Sequence, residues 1–285
     1  MSNGIDIRQN EDRSIAMLAA QRQLYRDVKT GNLLIASFSV IIPFGLSLLV
    51  ELFKNVQGLL IASSLLSIAS LILSITIDNL AIQKKKLASF IQQKFDVYVY
   101  QMPWDKRLFG LDRNVDSEVA KYSKKILSND KEKIELLDWY TLPCTQKPIL
   151  EGILACQREN FSWDYELRNR ARNWCIGIAF FSIVVIFAIG ILNNELVVTL
   201  LFRLAFIAPI LCWSIKLINT LNLDMNRLIR LKELINNAEK MSMEDLQIIQ
   251  RELYDHRRNC FEIPDIVYKR NKDQDENREK RAAQF

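Results

Sequence analysis

The stretch from Gly58 to Ile77 constrains the fold most, because it carries no charged side chain and is mostly apolar. A helix of about 20 residues is long enough to cross the ~30 Å hydrocarbon core of a bilayer. Three further apolar runs of similar length lie at Leu33 to Phe53, Trp174 to Leu192 and Leu196 to Leu221. The sequence therefore predicts an all-α integral membrane protein with four transmembrane helices.

Very short connectors, Lys54 to Gln57 and Asn193 to Glu195, separate the runs within each pair, which predicts two helical hairpins. Apolar residues keep helical spacing past the second and fourth runs, so long helices should extend into a helical cytoplasmic domain. The expected segments are an amino-terminal amphipathic helix (1–32), a first hairpin (33–80), a cytoplasmic helical domain (81–173), a second hairpin (174–221) and carboxy-terminal helices with a tail (222–285).

Basic residues flank the runs on one side only, and they predict the orientation. Lys84, Lys85 and Lys86 follow the second run, and Arg168 to Arg172 precede the third, whereas the hairpin tips carry only Lys54. Since Lys and Arg mark the cytoplasmic side of a span, both termini and the middle segment should be cytoplasmic. The first apolar run begins after residue 32 and is long, so we expect no cleavable signal peptide.

A stripe of serines runs along the second predicted span. Ser63, Ser67, Ser70 and Ser74 follow one another at steps of four, three and four residues, so they share one helix face. Small polar residues serve both close helix packing and water-lined pores, and both interpretations stay open here. Arg203 lies about two turns inside the fourth run, where it should face a partner, face a water-filled path or snorkel outward. These five residues are the candidate pore lining.

Signs of catalytic chemistry are weak. The single histidine, His256, stands beside two arginines, and the glycines form neither a Walker loop nor a dinucleotide-binding loop. The five cysteines include no Cys-x-x-Cys pair and should be reduced thiols. We therefore expect no enzyme activity, no metal and no cofactor.

Short polar and aromatic blocks recur through the cytoplasmic segments. They are Ile5 with Arg8-Gln9-Asn10, the run from Leu18 through Gln21-Arg22 to Tyr25, Phe95-Asp96 with Pro103-Trp104, Asp138-Trp139-Tyr140, Gln157-Arg158-Glu159-Asn160 with Trp163-Asp164, and Tyr254-Asp255-His256-Arg257 with Ile263-Pro264-Asp265 and Tyr268. In this order, over residues 5 to 268, the blocks resemble the SMODS-associated four-transmembrane pore-forming effectors of CBASS anti-phage defence. We expect the motif residues to have a structural role. They are Arg8, Gln9, Asn10, Gln21, Arg22, Tyr25, Trp139, Tyr140, Gln157, Arg158, Asn160, Trp163, Asp164, Tyr254, Arg257, Pro264 and Tyr268.

The resemblance implies a multi-pass effector in the bacterial inner membrane. Such an effector senses a cyclic oligonucleotide made by a cGAS-like nucleotidyltransferase, assembles or opens as a homo-oligomer, and permeabilises the lipid bilayer to cause abortive infection. It implies no nucleic acid polymer as a partner.

The loop after the second long helix is the candidate ligand site. Trp104, Lys106, Arg107 and Arg113 combine cations for phosphates with an aromatic ring for base stacking. The alternative is a solvated basic loop near anionic lipid headgroups. Two other functions also fit the sequence: a ligand-independent ion channel or small-ion transporter, and a membrane-anchored interaction scaffold.

Overall fold

The computed structural model describes residues 2–42, 45–46, 49, 57–192, 194, 196–236 and 242–263, and this part of the chain contains helices and no strand. The helices are α1 (Ile5–Gln9), α2 (Asp12–Ala36), α3 (Gln57–Tyr100), α4 (Lys106–Phe109), α5 (Asp116–Leu127), α6 (Asp130–Ile134), α7 (Leu142–Thr145), α8 (Ile149–Leu192), α9 (Val197–Asn236) and α10 (Met243–Asn259). A π-helical segment, Ser37–Ile41, continues α2. The all-helical prediction is confirmed for the described residues.

Three helices are much longer than a bilayer is thick. Helices α3 and α8 each have 44 residues and α9 has 40. At 1.5 Å per residue, 44 residues extend over about 66 Å, roughly twice the hydrocarbon thickness. The predicted continuation of the second and fourth apolar runs into longer helices is therefore confirmed. Among the residues that the structure describes, α8 alone has the length and apolar composition of a membrane span.

A single hydrophobic core joins the three segments that were predicted to be cytoplasmic. Helix α2 buries Leu18 and Leu24, α3 buries Ile91 and Phe95, and α10 buries Leu253, all within this core. Helix α2 packs along α3, and α8 packs along α9, so the long helices form two pairs. The five-segment division stays a prediction, but residues from its first, third and fifth segments build this core together.

Two glycines lie where helices meet, and one of them is needed for the contact. In α2, a Cβ atom added to Gly31 would lie 3.4 Å from the Cβ of Ala81 in α3, which is an ordinary van der Waals contact. In α8, a Cβ atom on Gly152 would lie 2.3 Å from Asn3 Nδ2 and 2.6 Å from the Cys144 carbonyl oxygen. The amino terminus can therefore pack against α8 only because residue 152 has no side chain.

Helix α10 has a strong start signal. The Ser242 hydroxyl accepts a hydrogen bond from the Asp245 amide at 3.2 Å, and the Asp245 carboxylate accepts from the Ser242 amide at 2.9 Å. This reciprocal capping box satisfies backbone donors that a helix otherwise leaves free. Helix α10 then packs against α3, α4, α8 and α9, which places it between the two helix pairs and the loop after α3.

Candidate functional site

An open cleft lies where α1 and the start of α2 meet the end of α3. Its volume is about 790 Å³, and it is lined by three cations, Arg8, Arg13 and Lys94, together with the aromatic rings of Tyr98 and Trp104. Glu11 and Asp112 also line it. The cleft therefore combines positive charge and aromatic surface, the two features that bind a phosphate and a planar base.

Trp104 is held firmly at one wall of the cleft. Its indole Nε1 donates to the Gly110 carbonyl oxygen at 2.9 Å. Its ring packs edge-on against Phe90, with centroids 5.5 Å apart, and against Phe109, with centroids 5.4 Å apart. Edge-to-face packing at these separations is a favourable aromatic geometry, so the indole is oriented before any ligand arrives.

Lys94 approaches the same wall from α3. Its Nζ lies 2.7 Å from an Asp112 carboxylate oxygen and donates to the Arg113 carbonyl at 2.9 Å. It also lies 6.0 Å from the centroid of the Trp104 ring. These contacts fix the loop after α4 against α3 and keep a cation beside the indole.

The amino-terminal segment contributes two arginines with different surroundings to the cleft. Arg8 Nε donates to the Val99 carbonyl at 2.7 Å, and burial lowers the pKa of Arg8 from its ordinary value. Arg13 is exposed, and its guanidinium carbon lies 5.7 Å from the centroid of the Tyr98 ring. The Tyr98 hydroxyl donates to the Glu11 carboxylate, and this hydrogen bond raises the pKa of Tyr98. Arg13 is thus the cation that a ligand reaches with least rearrangement.

The structure brings only one of the four predicted ligand residues into the cleft. Trp104 lines it, whereas Lys106, Arg107 and Arg113 do not. Lys106 is exposed on α4, and Arg107, with a side chain that is 90% exposed, pairs with Asp105 at 2.9 Å. The guanidinium of Arg113 lies over the Phe90 ring, 5.1 Å from its centroid.

Sequence reasoning missed Arg8, Arg13, Lys94 and Tyr98 as site residues. Lys94 and Tyr98 are four positions apart in α3, so helical periodicity places them on one face. That spacing was a usable signal. No signal in the sequence indicated that Arg8 and Arg13 approach the end of α3, because about ninety residues separate these partners in the chain.

The amino-terminal motif residues make structural contacts. Gln9 forms two hydrogen bonds with the backbone of Tyr140, donating to its carbonyl at 3.3 Å and accepting from its amide at 2.8 Å. Asn10 donates to the Asp138 carboxylate at 2.8 Å and accepts from the Asp138 amide at 3.0 Å. The other contacts of this motif are the Arg22–Glu135 ion pair at 2.9 Å, the hydrogen bond from the Tyr25 hydroxyl to Gln92 at 3.1 Å, and the buried side chain of Gln21.

A buried polar network is centred on Asp96, whose side chain is 0% exposed. Its carboxylate accepts hydrogen bonds from the Tyr140 hydroxyl at 2.6 Å, from Gln250 Nε2 at 2.9 Å and from the Arg257 guanidinium at 2.5 Å. Asn160 donates to the Tyr140 hydroxyl at 3.1 Å. Burial raises the pKa of Tyr140. Burial alone would lower the pKa of Arg257, but the nearby Asp96 carboxylate raises that pKa above its ordinary value. The motif residues in this network tie α3, α8 and α10 together.

A second polar network joins α8, α9 and α10. Arg168 contacts Asp164 at 3.0 Å and Asp224 at 2.6 Å, and the Asp164 carboxylate lies 2.6 Å from His256 Nε2. Burial would raise the pKa of Asp164, but Arg168 and His256 lower it to about 2. Gln157 extends the contact between α8 and α10 by donating to the Leu246 carbonyl at 2.9 Å.

The remaining motif residues and the candidate pore residues differ in their burial. Trp139 is partly buried against the core, Tyr254 is buried and Arg158 is exposed. Ser70 and Ser74 are buried within the chain, with exposures of 3% and 4%. The side chains of Ser63, Ser67, Trp163 and Arg203 lie outside what the structure describes, as do Pro264 and Tyr268 entirely. The pore-lining role stays a prediction.

The chain matches the SMODS-associating 4TM effector domain over residues 3–285. It belongs to this family. The match confirms the resemblance seen in the sequence blocks, and the family's description supports a membrane protein.

A relative from Bacillus cereus (strain VD146), described as a probable CBASS effector molecule, is 25% identical over 184 residues. The similarity covers 63% of this chain and 59% of the relative. The chain therefore spans less than two thirds of the relative's length. No solved structure matches the chain described here.

Proposed function

We propose that this chain is an effector of CBASS anti-phage defence that binds a cyclic oligonucleotide in the cleft and then permeabilises the bacterial inner membrane. The observation that carries this proposal is the cleft itself, with Arg13, Lys94, Tyr98 and Trp104 around one opening in a member of an effector family. The name of the Bacillus cereus relative supports the defence context.

The chemistry of the cleft suits this class of ligand. Cyclic oligonucleotides present anionic phosphates and flat bases, which proteins bind with Arg or Lys and with aromatic rings. The volume of about 790 Å³ falls within the ~300–1,000 Å³ that is usual for small-molecule sites. Arg13 would contact a phosphate, and the oriented indole of Trp104 would stack on a base.

The membrane part of the proposal has two hairpins with both termini in the cytoplasm. Support comes from the four apolar runs, the basic residues on one side of them, and the apolar length of α8. The proposed partners are a cGAS-like nucleotidyltransferase that supplies the messenger, the lipid bilayer, and further copies of this chain that form the conduit. The Ser63, Ser67, Ser70 and Ser74 stripe and Arg203 are the proposed lining.

Calorimetry on the purified protein with a panel of cyclic di- and trinucleotides tests the ligand. Replacing Arg13 with Gln removes one charge-assisted contact, so affinity should fall about ten- to a hundredfold. Arg107→Gln is the matched control, because this exposed arginine lies outside the cleft, and it should leave affinity unchanged. If no nucleotide binds, or if both variants lose affinity equally, the cleft is not the messenger site. Absence of binding together with ion conductance would favour a ligand-independent channel, and absence of both would favour a scaffold.

A further inference from the structure

The segment from Cys260 to Ile263, immediately after α10, lies between the two helix pairs. We propose that it is a clasp, which holds the α2–α3 pair against the α8–α9 pair, and that α10 transmits ligand binding in the cleft to this clasp. The transmission step rests on the proposed function, whereas the clasp rests on contacts within the chain.

The α2–α3 pair binds the clasp through two side chains that donate to its backbone. Lys85 Nζ in α3 donates to the Cys260 carbonyl at 2.8 Å. Asn32 Nδ2 in α2 donates to the Glu262 carbonyl at 2.9 Å. Neither contact depends on the side chain of the clasp residue, so the clasp is recognised by the position of its backbone.

The α8–α9 pair binds the same segment from the other side. Arg168 of α8 donates to the Phe261 carbonyl at 3.0 Å, and the Phe261 amide donates to Asp224 of α9 at 2.9 Å. Arg168 and Asp224 also pair with each other at 2.6 Å, with side chains that are 4% and 0% exposed. Breaking a buried ion pair of this kind is strongly unfavourable, so Arg168 and Asp224 are held in place where they bind the clasp backbone.

Apolar packing adds to the attachment on the α8–α9 side. Ile263 is buried in a small cluster with Ala171 of α8 and Leu221 of α9, separate from the main core. Phe261 packs against the edge of the same cluster. The clasp therefore anchors in the α8–α9 pair through buried apolar side chains and reaches the α2–α3 pair through polar contacts. The second attachment is the one that can open.

Helix α10 connects the cleft to the clasp. Near its first turn, the buried Gln247 donates through Nε2 to the Pro103 carbonyl at 2.9 Å, and Pro103 and Trp104 both line the cleft. At its other end, the Cys260 amide donates to the His256 carbonyl at 2.8 Å. A helix of 17 residues is about 25 Å long and moves as one body. A shift of the cleft wall can therefore reach the clasp through α10, and the same shift acts on the hydrogen bonds from Gln250 and Arg257 to Asp96.

The consequence is a two-state device. With the clasp closed, the apolar runs of the two pairs stay adjacent and the buried serines Ser70 and Ser74 remain inside the chain. With the clasp released from Asn32 and Lys85, the membrane-side parts of α2 and α3 are free to move relative to α8 and α9, while the shared core around Phe95, Ile153 and Leu253 holds the other ends together. A ligand shifts this equilibrium only as far as it binds the released state more tightly.

Hydrogen exchange of the full chain in lipid nanodiscs tests the clasp without any ligand. The double variant Asn32→Leu with Lys85→Met removes both donors of the α2–α3 side. The amides of residues 260–263 should then exchange at least tenfold faster, and vesicles of bacterial phospholipid should leak dye without a nucleotide. The matched control is Lys86→Met, which removes the exposed neighbouring cation and should change neither reading. Unchanged exchange overturns the clasp, whereas faster exchange without leakage overturns the link between the clasp and membrane permeabilisation.

A second arm tests transmission and separates its failure from that of the proposed function. A cyclic oligonucleotide that binds the wild type should accelerate exchange of residues 260–263 at least tenfold. In Gln247→Leu it should still bind, but the acceleration should be lost. Acceleration that survives in Gln247→Leu overturns the role of α10. If no oligonucleotide binds, the proposed function fails, and the ligand-free arm still decides the clasp.

Discussion

The guanidinium of Arg257 lies 2.5 Å from the carboxylate of Asp96, deep in the core and 161 residues away in the chain. This pair joins the last described helix to α3. Replacing Asp96 with Asn leaves Arg257 charged and without its buried counter-ion, which typically destabilises a protein by about 3–5 kcal/mol. Chemical denaturation of the detergent-purified protein measures the loss. Asp130→Asn, at an exposed position, should change stability by no more than about 0.5 kcal/mol. A similar effect of both variants would contradict a buried, paired Asp96.

The pair also shows what the sequence could and could not predict. The long helices were predictable because their apolar residues keep a local period of 3.6. The partners of Asp96 were not, because Tyr140, Gln250 and Arg257 come from distant segments and no local pattern marks them as neighbours. The same limit applies to the cleft. Trp104 was found through its basic neighbours, but three of the four proposed ligand residues turned out to lie outside the cavity, and Arg8 and Arg13 enter it from the other end of the chain.

The lowered pKa of Asp164 predicts a loss of stability in acid. Its folded-state pKa of about 2 lies below the ordinary carboxyl value of 3.8, because Arg168 and His256 favour the ionised form. A depressed pKa stabilises the fold above the unfolded value, and this contribution is lost as the pH falls from about 5 to 2. The contribution amounts to roughly 2 kcal/mol. Because pH 3 still lies above the folded pKa, the wild type should lose about 1 kcal/mol more than Asp164→Asn between pH 6 and pH 3, measured by denaturation at each pH. Parallel curves for the two proteins would refute the ion pairing.

Gly152 should not tolerate a methyl group. The added Cβ would lie 2.3 Å from Asn3 Nδ2 and 2.6 Å from the Cys144 carbonyl, so Gly152→Ala must displace the amino terminus or α7. We expect a loss of about 1–3 kcal/mol, as for other overpacked sites. Gly177→Ala in the same helix meets no atom within 4 Å and serves as the control. It should be neutral or slightly stabilising, because Ala favours a helix over Gly. Thermal unfolding in detergent compares them, and equal melting temperatures would count against the close contact.

The proposed topology makes a prediction for labelling intact cells. In a cysteine-free variant, Gln57→Cys and Asn194→Cys lie at the two hairpin tips and should react with an impermeant thiol reagent from outside. Ser117→Cys, on the exposed surface of α5, should be protected until the cells are opened. Basic residues around the apolar runs are the physical reason for this orientation. Labelling at residue 117 with protection at both tips would reverse the topology.

Dye release from sealed vesicles measures whether a nucleotide opens a path through the membrane. The purified chain is reconstituted in bacterial phospholipid, and a cyclic oligonucleotide that binds it is added. The nucleotide should start rapid release with the wild type and with Arg107→Gln. With Arg13→Gln, release should require about ten- to a hundredfold more nucleotide. Vesicles that stay sealed at saturating nucleotide, or that leak equally with and without it, would contradict a ligand-gated membrane effector.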